Sequence, residues 1–234
     1  MEDRIDSHLV EIRYKPNSKV LDYRGAWAEA ISTLMELNHW KIDANRIDVR
    51  DEDASHIAFV SFKNTGFAVR NVPTKHYFSD QAVKFLEILF ALEGFETEPF
   101  IERIGVRLRV CKPFDGEFSD LVEKYSSNFI TISKPAKDAL QSKLLDIGSP
   151  LVLEDKIGKI NLLGGPMGAK QTTQFFATAD GVLPSAPSVG LVFDIDYWSA
   201  PKTIMAKSEL TNLLRQYAAA CWSMNDRLTK LVLG

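Results

Sequence analysis

Apolar and polar residues alternate over 8–14 (His-Leu-Val-Glu-Ile-Arg-Tyr), which predicts an opening strand closed by the turn Lys15-Pro16-Asn17-Ser18. The period then changes. Trp27, Ala30, Ile31, Leu34 and Leu37 fall on one side of a helix over 21–38. Residues 43–53 are polar and read as a loop with a short strand at Arg46–Val49. A strand over 56–63, a tight turn at Asn64-Thr65-Gly66 and a return over 67–72 form a hairpin. Ser79 is placed to cap a helix from Asp80 to Leu92, with Gly94 as its stop.

Strict alternation returns at 101–110. Ile104, Val106, Leu108 and Val110 fall on one face and Arg103, Gly105, Arg107 and Arg109 on the other. Asp115 or Ser119 can start the next helical stretch, and 135–146, with proline at its first turn, reads as another helix. Four strands are then expected, over 151–155, 157–164, 170–177 and 189–198. The Ala/Pro-rich stretch 178–188 reads as a loop and a candidate for disorder. Ser208 is placed to cap a long last helix whose apolar positions include Leu210, Leu214, Tyr217, Cys221 and Leu228. The order predicts an α+β fold: a mainly antiparallel sheet of β-α-β-β-α-β-like units, helices on one face, and a long C-terminal helix. It reads as one domain over 1–234, with a weak repeat that divides it into halves at 1–115 and 116–234.

With 45 % apolar residues and 14 Phe in 234, the chain can bury a sizeable core. Its formal charge of −3 argues against general polyanion binding but leaves room for a local basic groove. Two distant cysteines make no disulfide framework, and neither a secretory leader nor a membrane-length apolar run is present. A cytoplasmic protein without membrane attachment is the expectation.

Three guanidiniums on one strand face need anions, carboxylates or water. Arg103, Arg107 and Arg109 therefore suggest a pocket for a phosphate or carboxylate ligand or for nucleic acid. The structural alternative lies in the late strand, where Asp194 and Asp196 share a face and can form cross-strand ion pairs with Arg107 and Arg109. The same two aspartates suggest a divalent-metal site and hydrolase chemistry, with Glu154 or Asp155 as a third donor. The segment Leu163–Gln171 fails the Walker pattern, since Ala169 separates Gly168 from Lys170, and reads as a wide β-turn. His8, His39, His56 and His76 lack metal spacing, and a Cys111–histidine dyad is a minor alternative. Lysines between 112 and 143 are diluted by acidic neighbours and read as a solvated helix face. No catalytic residue and no cofactor are implied.

Tyr14-Lys15-Pro16, the helix Phe85–Leu92 before Arg103-Ile104-Gly105-Val106-Arg107, the Phe193-Asp194-Ile195-Asp196-Tyr197 strand and the long last helix together resemble a sporadically distributed prokaryotic family of uncharacterised proteins. That family usually has an Asn soon after its Arg-Ile-Gly-x-Arg segment, where this chain runs Leu108-Arg109-Val110-Cys111. The resemblance implies no reaction. Its patchy distribution implies mobile-element or antiviral-defence genes. The leading expectation is a non-enzymatic protein-binding or regulatory protein, a homo-oligomer, with Tyr217 and Trp222 of the last helix as interface residues. The arginine-face ligand or nucleic-acid binder and the metal-dependent hydrolase are the alternatives.

Overall fold

The structure, a computed structural model, describes residues 4–177 and 186–234. The chain runs β1 (Ile5–Tyr14), α1 (Lys19–Met35), β2 (His39–Ile42), β3 (Arg46–Arg50), β4 (His56–Ser61), β5 (Asn64–Arg70), α2 (Tyr77–Ala91) and β6 (Phe100–Pro113). It continues as α3 (Phe118–Asn128), α4 (Lys134–Leu140), β7 (Ser149–Glu154), β8 (Lys159–Gly168), α5 (Ala169–Phe176), β9 (Val189–Ser199), β10 (Thr203–Ile204) and α6 (Lys207–Leu233). All strands join one antiparallel sheet in the order β2-β3-β4-β5-β1-β6-β9-β8-β7, with β10 on β6. This is the α+β architecture that the alternation predicts.

Element order repeats. A strand, a helix, a meander and a closing helix (β1, α1, β2 to β5, α2) are followed by β6, α3 and α4, a second meander and α6. The second pass opens at Phe100. The first strands of the two passes, β1 and β6, lie side by side in the middle, with Val10 opposite Val106.

One face of the sheet carries the core. Val10, Ile12 and Tyr14 of β1, Ile104, Val106 and Leu108 of β6, and Phe193, Ile195 and Tyr197 of β9 all point at the helices and are buried. From α1 come Trp27 and Ile31, from α2 Phe85 and Leu86, and from α6 Leu214 and Tyr217. Residues at i and i+2 in strands meet residues at i, i+3 and i+4 in helices, so both periods serve one layer. The opposite face is open except at one corner. There α5 places Phe175 and Phe176 against Ile5, Cys111 and Val192.

Several local expectations change. The strand expected over 170–177 is instead helix α5 (Ala169–Phe176), because Thr172 and Phe176 recur at helical spacing toward that corner and Gln171 Oε1 accepts the Gly168 N–H. The glycine-rich segment 163–168 belongs to β8, paired with β9 from Gly164↔Phe193 to Gly168↔Val189. A Cβ on Gly164 would overlap the Phe193 ring, so glycine admits that ring. Pro166 lies beyond the last β7 pair, where a missing N–H costs the ladder nothing. Ser79 lies inside α2 and donates to His76 O. In α6, Glu209 Oε2 accepts the Ala206 N–H, and Ser208 does not cap. The helix expected over 135–146 ends at Leu140, with no buried residue to extend it. The loop expected over 178–188 lies mostly outside the described residues. No helix among the described residues is long and apolar enough to cross a membrane.

Candidate functional site

Residues of the open face line up in rows across the strands. One row reads Arg50, Ile57, Ala68, Leu9, Arg107, Asp196, Asn161. The next reads Arg70, Ser7, Arg109, Asp194, Leu163. The strands expected to be neighbours are neighbours: Arg107 lies opposite Asp196 and Arg109 opposite Asp194.

The ion pairs, however, run diagonally. Arg107 forks onto Asp194, Nε to Oδ1 at 2.7 Å and Nη2 to Oδ2. Arg103 Nη2 reaches Asp196 Oδ2 at 2.9 Å, and its guanidinium stacks on Trp198. Arg109 has the poorest share. Its Nε is 3.3 Å from Asp194 Oδ2, already taken by Arg107, and its Nη1 is 3.4 Å from Phe175 O. Two guanidiniums thus divide one carboxylate. The hydrogen bond with Asp194 holds Arg107 above the ordinary arginine value, against the effect of burial. Burial and then Arg107 itself push Arg109 below it, and Asp194 offsets this only in part. The Asp194 side chain is 5 % exposed, whereas Arg107 and Arg109 keep 41 % and 27 % of theirs in solvent. The arginines are therefore paired but not buried.

Beside them the sheet is hollow, because Ala68 and Ser7 are short. A depression of about 170 Å³ is lined by Leu9, Ile57 and Ala68, by Ser7, Ala54 and Ser55, and by Arg70, Arg107 and Arg109. Its wall at Ser55 is braced from behind. Asp51 accepts from the Ser55 hydroxyl and from the His56 N–H (3.1 Å), and lies 2.8 Å from His56 Nδ1. His56 Nε2 is 2.9 Å from Tyr77 OH, which ties this loop to the start of α2. Burial alone would raise Asp51, but these bonds and His56 hold it below the ordinary carboxylate value.

A second recess of about 590 Å³ adjoins on the same face and shares Ile57. Its lining includes His39, Trp40, Lys41, Arg46, Asp48 and Arg50. Arg46 forks onto Asp48 and lies over the Phe59 ring, 4.2 Å from its centroid. Arg70, Ser7, Ser55 and this second recess escape sequence reading. The signal available was the alternation over 67–72, which aims Arg70 the same way as Arg109.

The other candidates resolve differently. Asp194 and Asp196 are occupied by guanidiniums. Asp155, the proposed third metal donor, instead accepts from Tyr197 OH at 2.9 Å on the helix side. Glu154 is exposed on the edge strand. Among the described residues no group of three or more His, Cys, Asp or Glu side chains could hold a metal ion. Burial pushes the Cys111 thiol up to about 11, the reverse of what a nucleophile needs. Tyr217 and Trp222 are 0 % and 5 % exposed, packed between α6 and the sheet. The helix stripe that carries these two residues, expected at an interface, is the core stripe, and Trp222 also borders a shallow recess beside Arg4 and Lys75. Compared with protein-family models and with curated proteins, the chain matches none.

Proposed function

We propose that this chain is a non-catalytic binding protein that captures an anionic group, a phosphate or a carboxylate, in the depression on its open sheet face. The observation that supports it is the unequal sharing of Asp194 between Arg107 and Arg109 at the rim of that depression. A guanidinium with two long bonds and solvent access gains from a further acceptor, and arginine forks match phosphate and carboxylate oxygens bidentately. The apolar Leu9, Ile57 and Ala68 would take the carbon attached to the anion. The Ser55 hydroxyl in that lining donates to Asp51, which supports binding over turnover.

Thermal unfolding with added inorganic phosphate or phosphoserine tests this. A ligand at ten times its Kd stabilises by about 1.4 kcal/mol, which for a chain of this size raises Tm by about 3–6 °C. Arg109→Ala should abolish that rise while leaving the unliganded Tm within about 2 °C, since its bonds are long and part-exposed. An equal rise in wild type and variant would refute the proposal.

A further inference from the structure

The volume of the depression limits what fills it. About 170 Å³ is the share of roughly six waters, enough for one phosphate or carboxylate with a methylene or two. Pockets that take up a whole drug-sized ligand are about 300 Å³ or more. The rest of the ligand must lie outside, and the adjoining recess beyond Ile57 offers the next cationic surface, with Lys41 and Arg46 beside Asp48. Lys41 pairs with Asp43 at 3.1 Å, but both side chains are largely in solvent, so that pair holds the lysine only weakly.

We infer that the captured group belongs to an acidic peptide segment of a protein partner, laid extended across the strands with acidic side chains in both recesses. This rests on the anion-capture reading of the first recess. Arg109 on β6 lies four strand spacings from Arg46 on β3 and five from Lys41 on β2, about 19–24 Å. An extended chain covers that distance in about six to seven residues, and an even spacing keeps both side chains on one side. Nucleic acid is the less suited polyanion. Its affinity grows with the number of phosphates neutralised, whereas this chain carries a net charge of −3 and Arg46, Arg103 and Arg107 of this face already hold carboxylates.

Fluorescence anisotropy with labelled decapeptides of Ser and Ala bearing one glutamate, or two at spacings of two, six or eight, tests the inference. Phosphoserine versions form a parallel series. The expected result is at least tenfold tighter binding of the two-acid peptides at spacing six or eight than of the single-acid or spacing-two peptides. Lys41→Ala, at a largely solvent-exposed side chain, should bring the two-acid peptides down to the single-acid affinity, with a circular-dichroism melt to show the variant folded. Arg109→Ala should weaken every peptide at least tenfold, with a circular-dichroism melt to show the variant folded. Affinity independent of spacing, with Arg109→Ala still disruptive, would overturn the extended-peptide inference and leave the anion site standing. Indifference to Arg109→Ala would overturn both. Tighter binding of a hexauridylate than of any peptide would overturn the choice of a protein partner.

Discussion

Replacing Asp194 by Asn should lower stability and raise anion affinity at once. In the native protein Asp194 accepts a forked pair of bonds from Arg107 and a long one from Arg109. Charge-assisted bonds contribute about 1.5–3 kcal/mol each. Asn retains one oxygen for Arg107, and both guanidiniums are partly in solvent, so water replaces part of the loss. The net cost is then about 2 kcal/mol, or roughly 4–8 °C in Tm. Binding moves the other way. A carboxylate roughly 6 Å from a bound anion repels it by about 0.7 kcal/mol in water and about 2.8 kcal/mol at an effective dielectric of 20, a bracket that contains the tenfold step. The variant also leaves Arg107 without its carboxylate and able to turn toward the ligand. Urea unfolding gives the first quantity, and phosphate titration by calorimetry gives the second. Loss of stability together with unchanged or weaker phosphate binding would refute the reasoning, because Asp194 would then organise the site instead of competing with its ligand.

The remaining expectations concern the frame. Trp222→Ala should cost about 3–5 kcal/mol in urea unfolding, since the ring is buried beside His8 and beneath the Arg4 guanidinium. A loss under 1 kcal/mol would contradict that packing. Gly190→Ala should destabilise by about 1–3 kcal/mol, because its Cβ would overlap Cys111 Sγ; adding Cys111→Ala should restore most of it, as a double-mutant cycle would reveal. Asp6 gives a pH dependence. Burial would raise its carboxyl, but His8, the Val72 N–H and Arg4 outweigh burial and hold it below 3.8; His8 Nε2 is 3.3 Å from Asp6 Oδ1 but off-angle for a good bond. A depressed folded value gives stability that is full well above 3.8 and is lost as pH falls below 3.8 and through the lower folded value. Asp6→Asn should therefore show a shallower loss of stability between pH 5 and 3 than wild type.

How much of this was legible follows from what each pattern encodes. Strand β6 was readable because its apolar and charged sets alternate without a break, and the Asp194/Asp196 face announced its neighbour in the same way. Strand β2 was not, because His39, Trp40 and Lys41 form an exposed edge with no buried set to mark a period. Helix α5 was misread as a strand from its paired threonines, since eight residues are too few for a 3.6 period to outweigh β-branching. The glycines of β8 signalled a turn locally, but their reason lies elsewhere, in the Phe193 ring that needs the room. The depression was invisible for a related cause. It is assembled from β1, β4, β5 and β6, and only the sheet order brings Arg70 level with Ser7 and Arg109.

The central pairing of β1 with β6 bears on how the molecule coheres. One bank of the depression, with Ser55, Ile57, Ala68 and Arg70, comes from the first pass of the chain. The other, with Arg107 and Arg109, comes from the second, and the β1–β6 ladder passes beneath. An occupant bridging the banks acts as a cross-brace over that ladder, so part of its binding free energy opposes any parting of the two passes. Affinity and mechanical cohesion are then coupled, and a chain cleaved between α2 and β6 would be held together by such an occupant as well as by its own hydrogen bonds.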